Sequence, residues 1–218
     1  MALPFTVEQF LEVFRAYNDA LWPAQLAVYA AAVAALAWAI ARPSRASGTA
    51  LGLVLAAMWI LMGAGYHFGF FRSINPMAVP AAVLFVLEGA LLALLAVRGR
   101  LLFAARRDAW TAVGFVFIAY GMAIYPLLGF AFGHVYPRAP VFGVAPCPTA
   151  IFTFGVFLLA ARKLPSWIAI VPLLWSFVGA SAALLLGVRE DLFLPVAGVV
   201  GTIGVVVRER GERATTAA

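Results

Sequence analysis

Long apolar runs alternate with short polar segments along almost the whole chain. A helix needs about 20 apolar residues to cross the hydrocarbon core of a bilayer, and seven runs approach or reach that length. The fifth run is the shortest, so a bundle of six remains an alternative. The pattern predicts an all-α integral membrane fold, a transmembrane helical bundle over 21–207. The predicted spans are Leu21–Ala41, Thr49–Phe70, Met77–Val97, Ala109–Phe132, Cys147–Ala161, Ser166–Gly187 and Leu192–Val207.

The segment 1–20 has a different pattern. Thr6 and Gln9 have the spacing of a capping box, and Phe5 and Phe10 have that of the hydrophobic staple that accompanies it. Apolar residues then recur at helical spacing, while charged residues occupy the opposite side. This predicts an amphipathic helix outside the cytoplasm. It lies either in the outer membrane interface or over the end of the bundle as a lid.

The basic residues predict the orientation. Most of the 15 Lys and Arg fall in alternate links and in the predicted tail 208–218. Because cytoplasmic loops are enriched in Lys and Arg, that side is expected to be cytoplasmic, with the N-terminus outside and the C-terminus inside. The residues on the richer side are Arg42, Arg45, Arg98, Arg100, Arg106, Arg107, Arg162, Lys163, Arg208, Arg210 and Arg213.

Composition agrees with this picture and removes one class of partner. Hydrophobic residues make up 65% of the chain and charged residues 11%, whereas soluble domains carry about 25% charged residues. Lipid must therefore cover the surface, and the bilayer is the expected partner. The net charge of +6 and the pI near 10.1 do not indicate nucleic-acid binding, because the basic residues form no stripe or patch on one element.

Glu88 is the most informative single residue, because it lies near the middle of the third predicted span. A lone ionisable group at that depth costs at least ~2.5–3.5 kcal/mol, so we expect it to face the bundle interior. Tyr120 and Ser176 lie at similar depth and are candidate hydrogen-bond donors to it. Glu88 then either serves a substrate or proton site or only joins helices as a neutral side chain.

Other chemistry-bearing residues fall on the predicted outer side. His67, His134 and Cys147 are there, together with Asn75 and Arg138, which are further candidates for the substrate or proton site. Imidazole and thiolate ligands suit zinc or copper, so the first three form a candidate metal site. Alternatively, the histidines bond carbonyl groups at the rim and the thiol packs as a small apolar group. The outer side also holds Tyr66, Tyr136, Glu190 and Asp191.

Three functions stay open at this point. The first is binding or transport of a small solute or ion through an outward-opening site with Glu88 at its floor, with Pro126 as one candidate helix break. The second is a membrane-embedded metal-dependent enzyme that uses His67, His134 and an outer carboxylate. The third is a structural or accessory subunit. The only lysine, Lys163, lies in a predicted cytoplasmic turn, which excludes a retinal protein. No cofactor, substrate or oligomeric state is predicted.

Several stretches resemble a family of uncharacterised bacterial multi-pass membrane proteins, a domain of unknown function. The resemblance covers nearly the whole chain and implies location in the bacterial cytoplasmic membrane, without implying an activity. It rests on Pro4-Phe5-Thr6, Glu8-Gln9-Phe10, Tyr17-Asn18, Trp22-Pro23, Tyr66-His67, Ile74-Asn75-Pro76 and the stretch from Gly133-His134 to Thr149.

Overall fold

A computed structural model describes residues 4–216, without the side chains of residue 182 and of residues after Arg210. Within these residues the chain is all-helical. A π-helical segment, Leu61–Phe70, and a 3-10 turn, Phe71–Ser73, continue α3, and a second π-helical segment, Tyr120–Ile124, joins α5 to α6. The α-helices are α1 Val7–Leu21, α2 Ala24–Ala41, α3 Arg45–Ile60, α4 Ala78–Val97, α5 Ala109–Ala119, α6 Tyr125–Ala131, α7 Pro146–Leu158, α8 Ile170–Leu186 and α9 Leu194–Thr216.

Among the described residues, six continuous helical stretches are long and apolar enough to cross a membrane. They coincide with six of the seven predicted spans, and some of their ends agree with the predicted ends while others differ by a few residues. Large apolar side chains on these stretches remain exposed, including Leu127 at 68% and Leu184 at 76%, and such surfaces suit contact with lipid. The stretches are Ala24–Ala41, Arg45–Ser73, Ala78–Val97, Ala109–Ala131, Ser166–Leu186 and Arg189–Arg210.

The remaining predicted span corresponds to α7, which has only 13 residues. At 1.5 Å per residue it measures roughly 20 Å, less than the ~30 Å of a hydrocarbon core. Every described residue of α7 except Cys147 is buried, because α3, α5, α8 and α9 pack around it. The helix is therefore a central element of the bundle, and its role as a seventh span stays a prediction.

Hydrogen bonds close both flanks of α7. Thr149 Oγ1 accepts a bond from Gly143 N at 2.9 Å and donates one to the Ala145 carbonyl at 2.7 Å. Non-helical backbone at membrane depth is tolerated only where protein surrounds it and its polar groups are paired. The other flank is paired by two backbone bonds, from Ala104 N to Leu159 O at 3.0 Å and from Ala161 N to Leu102 O at 2.8 Å.

Ion pairs connect α9 to the α4–α5 link and to the α7–α8 link at one end of the bundle, here called the basic end. Arg208 lies 2.7 Å from Asp108, which joins α9 to the α4–α5 link. Lys163 lies 3.9 Å from Glu209 and joins the α7–α8 link to the same helix. The predicted tail continues α9 as far as Thr216. The side chain of Arg213 and residues 217 and 218 lie outside the described residues.

The start of α1 follows the predicted capping pattern. Gln9 N donates to Thr6 Oγ1 at 3.2 Å, and Thr6 N donates to Gln9 Oε1 at 2.8 Å. The Phe5 and Phe10 rings stack with centroids 6.1 Å apart. Both the capping box and the staple are confirmed.

Two placements were left open for α1, and in the structure α1 lies over the end of the bundle as a lid. Its apolar face, including Phe10, Phe14 and Tyr17, is buried. These rings pack on Tyr66 and Phe71, at the end of the bundle opposite the basic end. The apolar face of α1 thus contacts protein.

Polar contacts fasten α1 to the loop 133–145, here called the outer loop. Asn18 is fully buried, and its Nδ2 donates to the carbonyls of Pro137 at 2.7 Å and Ala139 at 2.9 Å. Arg138 lies 2.8 Å from Glu12 at the surface. The lid helix and the outer loop therefore form one layer over this end of the bundle.

Candidate functional site

Glu88 is buried on α4, as expected, but its predicted donors bond elsewhere. The side chain is 1% exposed, and its Oε1 has no hydrogen-bond partner among the described residues. The Tyr120 hydroxyl donates to the Glu190 carbonyl at 2.9 Å, and Ser176 donates to the Leu173 carbonyl at 2.7 Å. The expected bonds to Glu88 are therefore absent. For Ser176 the cause is local, since a helical serine readily bonds a carbonyl of the preceding turn.

The three predicted metal ligands do not meet. His67 is fully buried, and its ring contacts Phe85 at 4.6 Å and Trp175 at 4.9 Å between centroids. Both of its nitrogens lack partners among the described residues, whereas His134 bonds Glu190. In the part of the chain that the structure describes, no three His, Cys, Asp or Glu side chains are arranged to hold a metal. Aromatic packing around His67 is the physical reason.

Two adjacent carboxylates form the centre of a different site. Glu190 and Asp191 are 0% and 1% exposed, in the 3-10 turn Arg189–Phe193 that leads into α9. The Tyr125 hydroxyl donates to Asp191 Oδ1 at 2.6 Å. Glu190 Oε1 lies 2.8 Å from His134 Nδ1. The chain thus brings two acids, a phenol and an imidazole together in its interior.

A widened helical turn places the tyrosines. Pro126 has no N–H, so it cannot make the α-helical bond to the carbonyl of Met122. The hydroxyl of Tyr29 on α2 donates to that carbonyl instead, at 2.5 Å. Tyr125 N bonds the carbonyl of Tyr120 five residues back, and both phenols reach the turn of Glu190 and Asp191. Such π-turns are frequent at functional sites.

The end of α6 places the histidine. Gly133 has a φ of 90°, which favours glycine, and the chain turns back so that His134 N bonds the Gly129 carbonyl at 2.8 Å. A Cβ atom on Gly129 would lie 3.2 Å from Glu190 Oε1. The small residue therefore lets the carboxylate approach the helix.

A cavity of ≈ 280 Å³ opens beside these groups, between α2, α6 and the outer loop. Glu190 and His134 line it, and the Oε2 atom of Glu190 is buried with no hydrogen-bond partner among the described residues. Five aromatic side chains also line it: Tyr29, Tyr125, Phe130, Tyr136 and Phe142.

The electrostatics of the cavity favour positive charge. No Lys or Arg of the described residues forms an ion pair with Glu190 or Asp191. The hydrogen bond to Glu190 raises the pKa of His134, and the charges of Glu190 and Asp191 act in the same direction, although burial opposes them. The carboxyl group of Glu190 thus lines the cavity beside this imidazole, and Asp191 is the next residue in the same 3-10 turn.

The other predicted residues lie around this site. Asn75 Oδ1 accepts a bond from Met77 N at 3.1 Å, so it serves the start of α4. Arg138 is part of the outer-loop layer and not of the cavity wall. Cys147 interacts with Asp191 and lines a separate cavity of ≈ 100 Å³ beneath α1. Of the eight predicted site residues, Tyr120, His134 and Cys147 thus touch the carboxylate pair.

Sequence reasoning placed Glu190 and Asp191 on the outer side but did not select them as the site. A usable signal was present. The chain has only nine Asp and Glu in total, and two of them adjoin each other at the start of an apolar span. Ionisable residues in such positions are rare and mark functional pathways.

Comparison with known proteins gives a family and no function. No curated protein and no solved structure matches the chain. One family model matches residues 7–216, nearly the whole length, and agrees with the resemblance seen in the sequence. The chain therefore belongs to DUF6064, a family of unknown function.

Proposed function

We propose that this protein binds a small organic cation at the Glu190–Asp191 pair and carries it across the bacterial cytoplasmic membrane. The observation that carries the proposal is the buried Oε2 atom of Glu190, which has no hydrogen-bond partner among the described residues and belongs to a residue that lines the ≈ 280 Å³ cavity. A buried carboxylate oxygen without a partner is costly. A ligand that carries positive charge and hydrogen-bond donors removes that cost.

The lining of the cavity supports an organic cation over a bare metal ion. Aromatic faces attract cations through their quadrupole, and five aromatic residues line the wall. Drug-sized ligands occupy pockets of about 300–1,000 Å³. The ligand therefore has few heavy atoms, as in a small amine or in choline, whose hydroxyl group is the hydrogen-bond donor.

The charge distribution supports an outward-opening site. The basic end suits the cytoplasmic side, with the N-terminus outside and the C-terminus inside. The cavity lies at the opposite end, beneath the outer loop. The cavity therefore opens toward the exterior. Asn18 and Arg138 hold the outer loop against α1, so movement of this loop away from the cavity requires these contacts to break.

The contact between His134 and Glu190 supports coupling of transport to a proton. The Glu190 carboxylate binds either the cation or a proton, so the two compete for it. His134 lies within hydrogen-bond distance and accepts or donates that proton. Glu88 on α4 is the candidate for a second proton position deeper in the bundle.

The test uses choline as a probe. Its neutral isostere, in which a tert-butyl group replaces the trimethylammonium group, is the ligand control. Isothermal titration calorimetry compares the detergent-purified wild type with E190Q and with D19N. Asp19 is an exposed carboxylate on α1, so D19N is the matched variant outside the site.

We expect choline to bind the wild type and D19N, and to bind E190Q at least about tenfold more weakly, since a charge-assisted contact is worth roughly 1.5–3 kcal/mol. The neutral isostere should bind none of them. Equal binding of the two ligands, or unchanged choline binding by E190Q, would refute the proposal. Uptake of labelled choline into proteoliposomes then separates transport from binding.

The His134–Glu190 pair also favours a second candidate, a membrane-embedded enzyme. An imidazole held 2.8 Å from a carboxylate is an acid–base arrangement. The metal-dependent form of this idea loses its support, because the predicted ligands do not meet. Mass spectrometry of choline after long incubation with the protein decides between the candidates. Unchanged choline favours transport, and an altered product favours catalysis.

A further inference from the structure

Another cavity, of ≈ 530 Å³, lies at the basic end, between the end of α4 and the link that leads into α8. We call it the basic cleft. Three of its lining residues are cationic: Arg98, Arg100 and Lys163. The rest of the wall is largely apolar and includes Leu91, Leu94, Leu95, Leu101, Leu164 and Trp167.

Among the described residues of the cleft wall, positive charges outnumber negative charges. Arg98 and Arg100 are exposed and form no ion pair there. Glu209 is the one acidic residue in the wall. It lies 3.9 Å from Lys163 and accepts a bond from Ser166 N at 3.0 Å. Three cations thus face one carboxylate that already has contacts.

The shape of the cleft combines this charge with an apolar surface. Leu94 is 40% exposed and Trp167 is 45% exposed, and both lie on helical stretches suited to cross a membrane. Tryptophan concentrates at the membrane–water interface. A ligand with an anionic head and an apolar body therefore matches both parts of the wall.

We propose that the basic cleft binds the phosphate headgroup of an anionic phospholipid, with the acyl chains lying along Leu91, Leu94 and Trp167. Basic pockets between transmembrane helices bind acidic lipid headgroups in this way, and arginine pairs with phosphate through two parallel hydrogen bonds. Soluble phosphate offers the same headgroup chemistry but leaves the apolar wall uncovered. The inference is independent of the proposed transport function.

The experiment is native mass spectrometry of detergent-purified protein titrated with phosphatidylglycerol, phosphatidylcholine or inorganic phosphate. The test variant is R98Q/R100Q. The matched control is R107Q/R162Q, which removes two exposed charges from the same end but outside the cleft. R98K/R100K keeps both positive charges. It therefore shows whether a loss of lipid binding in R98Q/R100Q comes from the lost charge or from misfolding.

We expect phosphatidylglycerol to bind the wild type, the control and R98K/R100K, and to bind R98Q/R100Q roughly tenfold more weakly. Phosphatidylcholine should not distinguish the proteins. Equal losses in R98Q/R100Q and R107Q/R162Q would show nonspecific attraction and overturn the proposal. If inorganic phosphate bound in the millimolar range and displaced the lipid, the proposal that the bound phosphate group belongs to a lipid would be overturned.

Discussion

The Nδ1 atom of His134 lies 2.8 Å from Oε1 of Glu190, although the two residues are 56 positions apart. This contact joins the end of α6 to the turn before α9. His134 lies in the outer loop and Glu190 in the bundle interior, so the pair connects the exposed layer to the buried acids. A change in the charge of either residue acts on both.

Replacement of His134 should change stability in a pH-dependent way. The pKa of His134 is raised in the folded protein, chiefly by the bond to Glu190. Its contribution is therefore complete below the unfolded pKa of about 6.5 and is lost as pH rises through the higher folded value. We expect H134Q to lower the unfolding temperature by roughly 3–6 °C at about pH 5.5, and by less at about pH 9. Thermal unfolding in detergent measures this.

The control for H134Q is the comparison of E190Q with E190Q/H134Q. Without the carboxylate, the pH-dependent difference between histidine and glutamine should disappear. A difference of the same size at every pH in the wild-type background would mean that His134 acts by packing.

Removal of the Tyr125 hydroxyl should destabilise the protein. Its bond to Asp191 at 2.6 Å serves a carboxylate that is 1% exposed. A buried acceptor that loses a charged hydrogen bond costs about 1.5–3 kcal/mol. Y136F is the control, because Tyr136 is 46% exposed. If Y125F and Y136F unfold at the same temperature, the bond contributes nothing to stability.

Loosening of α1 should expose the single thiol. Cys147 lines the ≈ 100 Å³ cavity together with Phe10 and Phe14, and Phe14 stacks on Tyr66 at 5.0 Å. F14A loses roughly 3–5 kcal/mol of packing, so local opening becomes more frequent. We expect a maleimide reagent to modify Cys147 at least about tenfold faster in F14A.

The control variant for this measurement is R15A. Arg15 is half exposed and pairs with Glu12 and Asp19 on the polar face of α1, where such pairs contribute at most ~1 kcal/mol. Its modification rate should match that of the wild type. Equal rates in F14A and the wild type would show that α1 does not cover the thiol.

Substitutions at Glu88 should separate charge from shape. E88Q and E88L should yield folded, monodisperse protein, because neither places a fixed charge at a site that is 1% exposed. E88K introduces a cation where the cost is about 2.5–3.5 kcal/mol or more, and should reduce the yield sharply. Size-exclusion chromatography of the purified variants measures this. Normal recovery of E88K would contradict the buried placement.

The sequence was sufficient for features that depend on neighbouring residues. The capping box of Thr6 and Gln9 was predictable because both partners lie within one turn. The six long apolar stretches were predictable because hydropathy over about 20 residues decides membrane crossing. The burial of Glu88 followed from the same argument.

The carboxylate site could not be predicted in the same way. Asp191 depends on Tyr125, which is 66 residues away, and Tyr125 reaches it only because Pro126 changes the helical turn. His67 and His134 were grouped because both lie near outer ends of helices. Depth along a helix does not give direction around it, and His67 faces the aromatic side chains of Phe85 and Trp175.

The enclosure of α7 has a consequence for how the chain enters the membrane during synthesis. A 13-residue helix with non-helical flanks is a poor substrate for partition into lipid by itself. Its neighbours α8 and α9 are synthesised after it. Until then, only the earlier helices α3 and α5 can pack against the segment. Synthesis that stops before α8 would therefore leave α7 without two of the helices that bury it.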